Sequence, residues 1–541
     1  MTVDKHNEEE TIESAVDKAA TNVRKRSTEK SKSTTEKSKK LALSTQDATF
    51  ISGFGLYSIL LVILVGVSII SFVCIGYSST ILVPTSACEL QTTSSQQGIL
   101  AAGPVVGTIV GSLVWGYLAD TRGRRLMLLV SLMGSAIINI VASISVNWIM
   151  LLILQFIAAL FASGLYSMSM SLLSESVPMA KRNLVILLVT SIFLLSQGFM
   201  AALALPIIPL TFSYYISSLD IYWNSWRTLV VIYSIPCICS FICFLFMQES
   251  PKFVHAMGDE QKSLEILRII HKYNHLGSKK EFQVYRIKKA EMNKNDTPSS
   301  SKDQIVPLFR APLLKPTIIM TLLYFFQQVG AFMMWLPTIA NQFVQVTETG
   351  GNTDLTLCEI LNSEFEVSVN PDVAPCALNE TALLMVLAVG ALQCAFNTIL
   401  SLMVTKIGRR NIVIALAGIC GLAGILVNVV PNTTGSIVLF GIFLMGIIVM
   451  GLYTAIIVAI FPTHLRAMAI ALPLTASRIT TFISIQILNL MLVNNCDAGF
   501  YLFTSIFTLS AVIAAFLPDD RRLQKEVKNE TEAKAENITK L

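Results

Sequence analysis

The sequence predicts an all-α polytopic membrane protein with twelve transmembrane helices in two six-helix bundles, on three observations. Of 541 residues, 53% are hydrophobic and 14% charged, against about 25% charged in an average soluble domain. The apolar residues gather in runs of about 20, the length needed to cross a bilayer as helix. The chain also repeats two motifs at one spacing. A mean hydropathy of +0.64 excludes a disordered chain and a large soluble enzyme. The net charge of +5 does not point to nucleic acid, because the basic residues lie at membrane edges and in two tails.

In chain order, residues 1–50 are rich in Lys, Ser, Thr and Glu, with the run KSKSTTEKSKK. Such a segment buries too little apolar surface to fold and is expected to be a disordered cytoplasmic tail. No basic start, apolar stretch and cleavage site follow one another there, so the first span is expected to act as the insertion signal. The first bundle occupies 51–249, with apolar segments near 56–76, 97–119, 126–147, 149–172, 183–207 and 227–247. A cytoplasmic linker, 250–315, carries a short amphipathic helix at Leu264–Tyr273. The second bundle, 316–518, has segments near 316–338, 382–404, 411–430, 435–458, 468–492 and 498–517, and a tail follows at 519–541. With both termini cytoplasmic, all but two of the 40 Lys and Arg residues face the cytoplasm, the exceptions being Arg227 and Arg478. The 341–381 loop, free of Lys and Arg, is then luminal or extracellular. The membrane is either the plasma membrane or an intracellular vesicle.

The repeat is read from its spacing. GYLADTRGRR (116–125) after the second segment corresponds to SLMVTKIGRR (401–410) after the eighth, and SESVPMAKR (174–182) corresponds to Ala459–Arg466. Gly123 and Gly408 stand 285 residues apart, and Pro178 and Pro462 stand 284 apart. Two unrelated motifs at one offset indicate a duplicated half.

The run Gly116 to Arg125 resembles the signature loop of the major facilitator superfamily. Ser174-Glu175 with Pro178 and Arg182, Trp226-Arg227, Gln248 to Phe253, Trp335-Leu336-Pro337 and Phe461 to Arg466 sharpen the likeness. Together they resemble the synaptic-vesicle-glycoprotein-two-like branch, near the organic cation and sugar porters. The resemblance implies a gating network of Gly116, Asp120, Arg124, Arg125, Glu175, Arg182, Glu249, Arg409, Arg410 and Arg466. Physically, Gly116 would allow close helix packing and Asp120 would sit against a helix N-terminus. Arg124 and Arg125 would pair with Glu175 or Glu249; alternatively, the arginines only enforce topology. Thr405 and Ala459 replace the repeat's acids, so the lock is expected to be lopsided, with Asp519 or Asp520 contributing.

Related porters usually carry an acid in segment 1 and an Arg in segment 4, where this chain has Phe72 or Ile75 and Gln155. No Asp, Glu or His lies mid-segment, which argues against proton coupling through such residues. Arg478 is the one charge expected at mid-membrane, either capping carbonyls between helices 2 and 11 or contacting an anion. On the second reading the substrate is anionic or zwitterionic. Further candidates for substrate contact are Gln155, Gln197, Tyr324, Gln328, Gln393 and Asn397, each of which could equally be interhelical glue. Cys88, Cys358, Cys376 and Cys496 lie on the non-cytoplasmic side, where three pairings are possible; Cys358 with Cys376 is preferred because both lie in one loop. Asn379 heads a glycosylation sequon close to a helix end.

These readings predict a transporter of a small organic solute, an organic ion or sugar-like molecule, working by alternating access. Its partners would be that solute and the lipid bilayer. The chain would be a monomer, with no cofactor, no metal and no nucleic acid. No G-x-x-x-x-G-K-[ST] loop is present, which argues against ATP-driven pumping. The alternative is a non-transporting vesicle or receptor-like protein that keeps the scaffold.

Overall fold

The computed structural model describes residues 42–43, 53–276, 286–287, 306–348, 355–362, 378–461 and 465–517. Among them are twelve spans long and apolar enough to cross a membrane. Spans 1–6 are Leu56–Ser86, Ser94–Ala119, Arg124–Ala142, Trp148–Ser176, Val185–Ala204 and Ser225–Phe244. Spans 7–12 are Leu314–Thr347, Glu380–Val404, Arg409–Leu426, Thr433–Ile457, Met468–Leu492 and Cys496–Ala514. Helices dominate because a segment in hydrocarbon must satisfy its own backbone, which an α-helix does within one segment.

Three spans are not continuous. Span 1 is two helices, Leu56–Gly76 and Ser79–Ser86, with Tyr77 and Ser78 between them. Span 7 breaks between Leu314–Phe325 and Val329–Glu348. Span 10 passes through a 3₁₀ turn at Met445–Ile448 between Thr433–Leu444 and Val449–Ile460. Local side chains serve the freed carbonyls. Ser78 Oγ donates to the Ile75 carbonyl at 3.0 Å, and Gln328 Nε2 donates to that of Phe325. Gln327 Nε2 reaches the Gly446 carbonyl at 3.0 Å, so one break is tied to another.

Small residues set the closest helix approaches. A Cβ on Gly107 would lie 2.4 Å from the Phe156 carbonyl oxygen, and one on Gly111 would lie 2.3 Å from that of Leu160. Spans 2 and 4 therefore pack backbone to backbone, as small residues permit in membranes. Gly116, expected to do this, instead faces open space; the packing glycines lie about one and a half and two and a half turns earlier on the same helix. In the second bundle Phe332 packs 4.8 Å from Phe500 and 5.1 Å from Phe443, centroid to centroid.

The chain divides into two compact units. The larger comprises Leu60–Ser174, Arg182–Glu249 and Pro298–Leu541, and therefore most of both bundles. The smaller comprises Met1–Ile59, Glu175–Lys181 and Ser250–Thr297. Within it the helices Pro251–Ala256 and Glu260–Asn274 are N-capped by Ser250 and Asp259. Asn274 holds the segment entering span 1, donating to the Gly53 carbonyl at 2.9 Å and accepting from the Ser58 amide at 3.2 Å. Ala42–Leu43 pairs in parallel with Arg286–Ile287. Two residues of the 1–50 segment, expected to be disordered, are thus structured, because a strand partner lies in the linker.

The disulfide differs from expectation. Cys358 bonds to Cys496, 138 residues away, and Cys376 lies outside the described residues. Proximity in sequence was a poor guide because the start of span 12 reaches the short helix Leu357–Asn362 that carries Cys358. Cys88 is also disulfide-bonded. The bundle thus has a disulfide end and, opposite it, a basic end at Arg122–Arg125 and Arg409–Arg410.

Candidate functional site

At the basic end, span 2's helix stops at Arg122 and span 3 starts at Arg124, turning on Gly123 at φ +101°. This left-handed region suits glycine. Glu249 accepts the amide protons of Arg124 and Arg125 at 3.0–3.1 Å, so its carboxylate sits at the positive end of span 3. Arg125 turns its side chain the other way, donating to the Phe244 and Leu245 carbonyls at 3.1 and 2.7 Å, where span 6 ends. Glu249 thus takes backbone amides of the two arginines, because the turn aims these N–H groups at span 6. Glu175 accepts from Ser250 Oγ. Arg182 lies in the first turn of the helix Met179–Ala204.

The second half repeats the geometry. Gly408, at φ +89°, separates the helices Glu380–Ile407 and Arg409–Leu426. Arg410 donates to the Ala515 carbonyl where span 12 ends, and Arg409 Nη1 donates to the Ala455 carbonyl at 3.0 Å. The side chains of Asp120 and Arg466, and all of Pro462, Asp519 and Asp520, lie outside the described residues.

At the disulfide end a second charge is buried. Arg227, at 1% exposure, pairs with Glu89 at 2.6 Å and donates to the Ser143 carbonyl at 2.7 Å. Trp226 Nε1 also donates to Glu89, at 2.6 Å, and the guanidinium lies 4.4 Å from the Trp226 ring centre. Arg478 is therefore not the one charge withdrawn from water. Arg227 is held by a carboxylate supplied 138 residues earlier, a partner no local pattern announces.

Two seams join the bundles. Along spans 2 and 11, Asn489 Nδ2 donates to the Ser94 carbonyl at 2.8 Å and Gln486 Nε2 to that of Gly98 at 2.7 Å. Arg478 Nη1 donates to the Thr108 carbonyl at 3.3 Å. The ladder runs from the disulfide end to mid-membrane. Spans 5 and 8 cross where a Cβ on Gly390 would lie 2.9 Å from the Gly198 nitrogen. Nearby, Asn397 Nδ2 donates to Ser191 Oγ at 2.9 Å.

The amide candidates are mostly engaged. Gln155, 2% exposed, accepts from Ser78 Oγ at 2.8 Å and donates to Asn139 at 3.2 Å within the first bundle. Gln197 donates to the Met333 carbonyl at 3.0 Å and Gln393 to that of Leu444 at 3.1 Å. Gln328 accepts from Ser484 Oγ. The Tyr324 hydroxyl pairs with Thr454 Oγ1 at 2.7 Å. Asn379 caps span 8, its side-chain oxygen accepting from the Thr381 amide at 2.9 Å.

Sequence reasoning missed Tyr77 and Tyr166. Both are partly buried, and Tyr77 follows Gly76, where an added Cβ would lie 3.8 Å from Thr108, the residue whose carbonyl takes Arg478. Tyr77 stands at the break in span 1, and Phe72 packs between the two, 5.8 Å from Tyr77 and 6.1 Å from Tyr166. The available signal was polar Ser78-Ser79-Thr80 inside an apolar run.

With this geometry in view, comparison with known proteins settles the lineage. The chain matches the sequence profile of the Major Facilitator Superfamily over residues 48–352 and 369–540. The chain belongs to this superfamily. Among curated relatives, it is 25% identical over 214 residues to synaptic vesicle glycoprotein 2C of Mus musculus, covering 39% of this chain and 29% of that one. It is 28% identical over 192 residues to synaptic vesicle glycoprotein 2B of Homo sapiens, covering 35% and 28%. The chain thus spans less than a third of the length of these relatives. Among solved structures, the partially occluded inward-open xylose transporter XylE from E. coli superposes with a TM-score of 0.59 at 15% identity, covering 86% of this chain and all of that one. That likeness establishes the fold. Twelve apolar spans and the superfamily together make the chain an integral multi-pass membrane protein.

Proposed function

We propose that this major facilitator protein is an alternating-access transporter of a small organic solute, with the site at mid-membrane between the bundles. The observation that carries this reading is the pair of broken helices. Spans 1 and 7, the first of each half, are interrupted at Tyr77–Ser78 and at Phe326–Gln328. Interruptions in corresponding spans of two repeats mark substrate sites in transporters, since irregular backbone is tolerated within the membrane only where protein or a cavity satisfies it. The ladder on spans 2 and 11 is the gate at the disulfide end, and the arginine loops are the gate at the basic end. The basic end is cytoplasmic, because Lys and Arg are retained on that side. Domain limits follow as 51–249 and 316–518, with 250–315 as the linker. The similarity to synaptic vesicle glycoproteins supports a vesicular membrane. Since no acid or His lies mid-span, transport is facilitated diffusion or exchange, insensitive to a pH gradient.

The test is reconstitution. Proteoliposomes loaded with a cell metabolite extract should release at least one small organic solute faster than protein-free vesicles, equally with and without a pH gradient. Retention of every solute by correctly inserted protein would favour the receptor-like alternative.

A further inference from the structure

We infer that the central site takes a monovalent organic anion, a carboxylate carried on a flat apolar body, bound by Arg478, Tyr77 and Tyr166. This rests on the transport reading above and names its substrate class.

Arg478 is the thirteenth residue of the 29-residue helix Arg466–Asn494, and is therefore near mid-membrane. A guanidinium has five N–H donors in a rigid fork. Arg478 places one on the Thr108 carbonyl at 3.3 Å, and among the described residues no carboxylate or other acceptor takes the remaining four. Arg227 shows what this chain does with a charge meant only for structure: carboxylate, carbonyl and indole close around it. Arg478 receives no such enclosure and stays partly exposed. An intramembrane arginine persists only when paired or facing water, so its open donors face a space that an anion can enter.

The tyrosines define the rest of the site. Neither the Tyr77 nor the Tyr166 hydroxyl has a hydrogen-bond partner among the described residues; a Cβ on Gly76, next to Tyr77, would lie 3.8 Å from Thr108, whose carbonyl takes Arg478, and Phe72 packs against both tyrosines. Spans 1, 4 and 11 thus bring donors with no partner among the described residues to one region, while the amides of Gln155, Gln328 and Gln393 are spent on the protein. A carboxylate suits the fork bidentately, and two phenols can complete its remaining lone pairs. Apolar walls adjoin it: Phe72 contacts both tyrosines, and Phe193 lies 5.7 Å from Tyr166. One guanidinium, with no further cation beside it among the described residues, balances one negative charge. A cation would find the aromatic faces but meet Arg478 head-on, with no carboxylate among the described residues to offset it.

The experiment uses purified full-length protein and three probes of like shape: benzoate, benzylammonium and benzyl alcohol, with chloride as inorganic anion. Thermal stability is followed against probe concentration. Benzoate should raise the melting temperature saturably, and the other organic probes should not. Arg478→Gln should weaken benzoate about tenfold or more, and Tyr77→Phe with Tyr166→Phe should weaken it several-fold with the charge intact, as expected for charge-assisted hydrogen bonds. The tyrosine pair keeps the test decisive if Arg478→Gln fails to fold. Stabilisation by benzylammonium but not benzoate, or equal benzoate binding by all variants, would overturn the inference. Saturation by chloride with no added effect of benzoate would also overturn it, by making the site one for an inorganic ion. A cysteine pair replacing Ser94 and Asn489 separates this from the transport reading. If the pair cross-links reversibly with opening and closing while benzoate does not bind, the substrate class falls and alternating access stands. If the pair stays permanently closed in lipid, the transport reading itself falls.

Discussion

The two halves of the chain solve one structural problem identically and another differently. Each turns from its second to its third helix on a glycine at positive φ, Gly123 or Gly408. Each then sends the second arginine after that glycine to the last carbonyls of its own sixth helix, Arg125 to Phe244 and Leu245, Arg410 to Ala515. An arginine at a helix C-terminus satisfies orphan carbonyls and complements the helix dipole. This shared device holds each bundle together. Two acids of the first half are not repeated in the sequence: Thr405 and Ala459 stand where the repeat would place Asp120 and Glu175. What both halves keep is architecture, and what one half keeps is the adjustable part. On the proposed transport reading, the basic-end gate is worked chiefly from the first half.

Substitutions can break that comparison, and the largest effect is expected at Glu249. Glu249→Ala leaves two N-terminal amides of span 3 without their acceptor and should cost about 2–3 kcal/mol, as for a lost hydrogen-bonded charge, read as denaturant or thermal stability in detergent. An unchanged midpoint would mean that the cap is not a stabilising contact. Next come the glycines: Gly123→Ala and Gly408→Ala should each lose about 1–2 kcal/mol, because a Cβ disfavours positive φ, and the two losses should match. A large inequality would show that the halves do not share the turn. Arg125→Ala and Arg410→Ala should each cost about 1 kcal/mol by the loss of helix-end contacts, again equally. The smallest stability change is expected at Asp120, where Asp120→Ala should lose only about 0.3–1 kcal/mol yet slow solute exchange. Thr405→Ala should alter neither quantity. Equal effects of these two on exchange would refute the lopsided gate.

How much of this was legible in the sequence depends on whether the signal is local. Span positions were legible because hydropathy is a property of consecutive residues, and the repeat was legible because Gly123 and Gly408 carry their arginines with them. Arg478 stood out as a charge in an apolar run. The break at Tyr77 was marked only by the polar run Ser78-Ser79-Thr80, because mean hydropathy is the same for a helix and for two helices end to end. Glu89 could not be matched to Arg227, nor Cys358 to Cys496, since each partner is brought by packing over more than 130 residues. The amides Gln155 and Gln393 looked like ligand groups because composition does not reveal which carbonyl lies opposite.

The central claim is that the bundles rock about a site at the broken spans, so that the two ends open in turn. Electron paramagnetic resonance distances in lipid nanodiscs test it with two spin-label pairs, Ser95 with Asn494 at the disulfide end and Thr121 with Ile407 at the basic end. All four positions are exposed. The account predicts two distance populations for each pair, with conditions that lengthen one shortening the other. A single unchanging distance at both ends, in every lipid and with every solute tried, would contradict it.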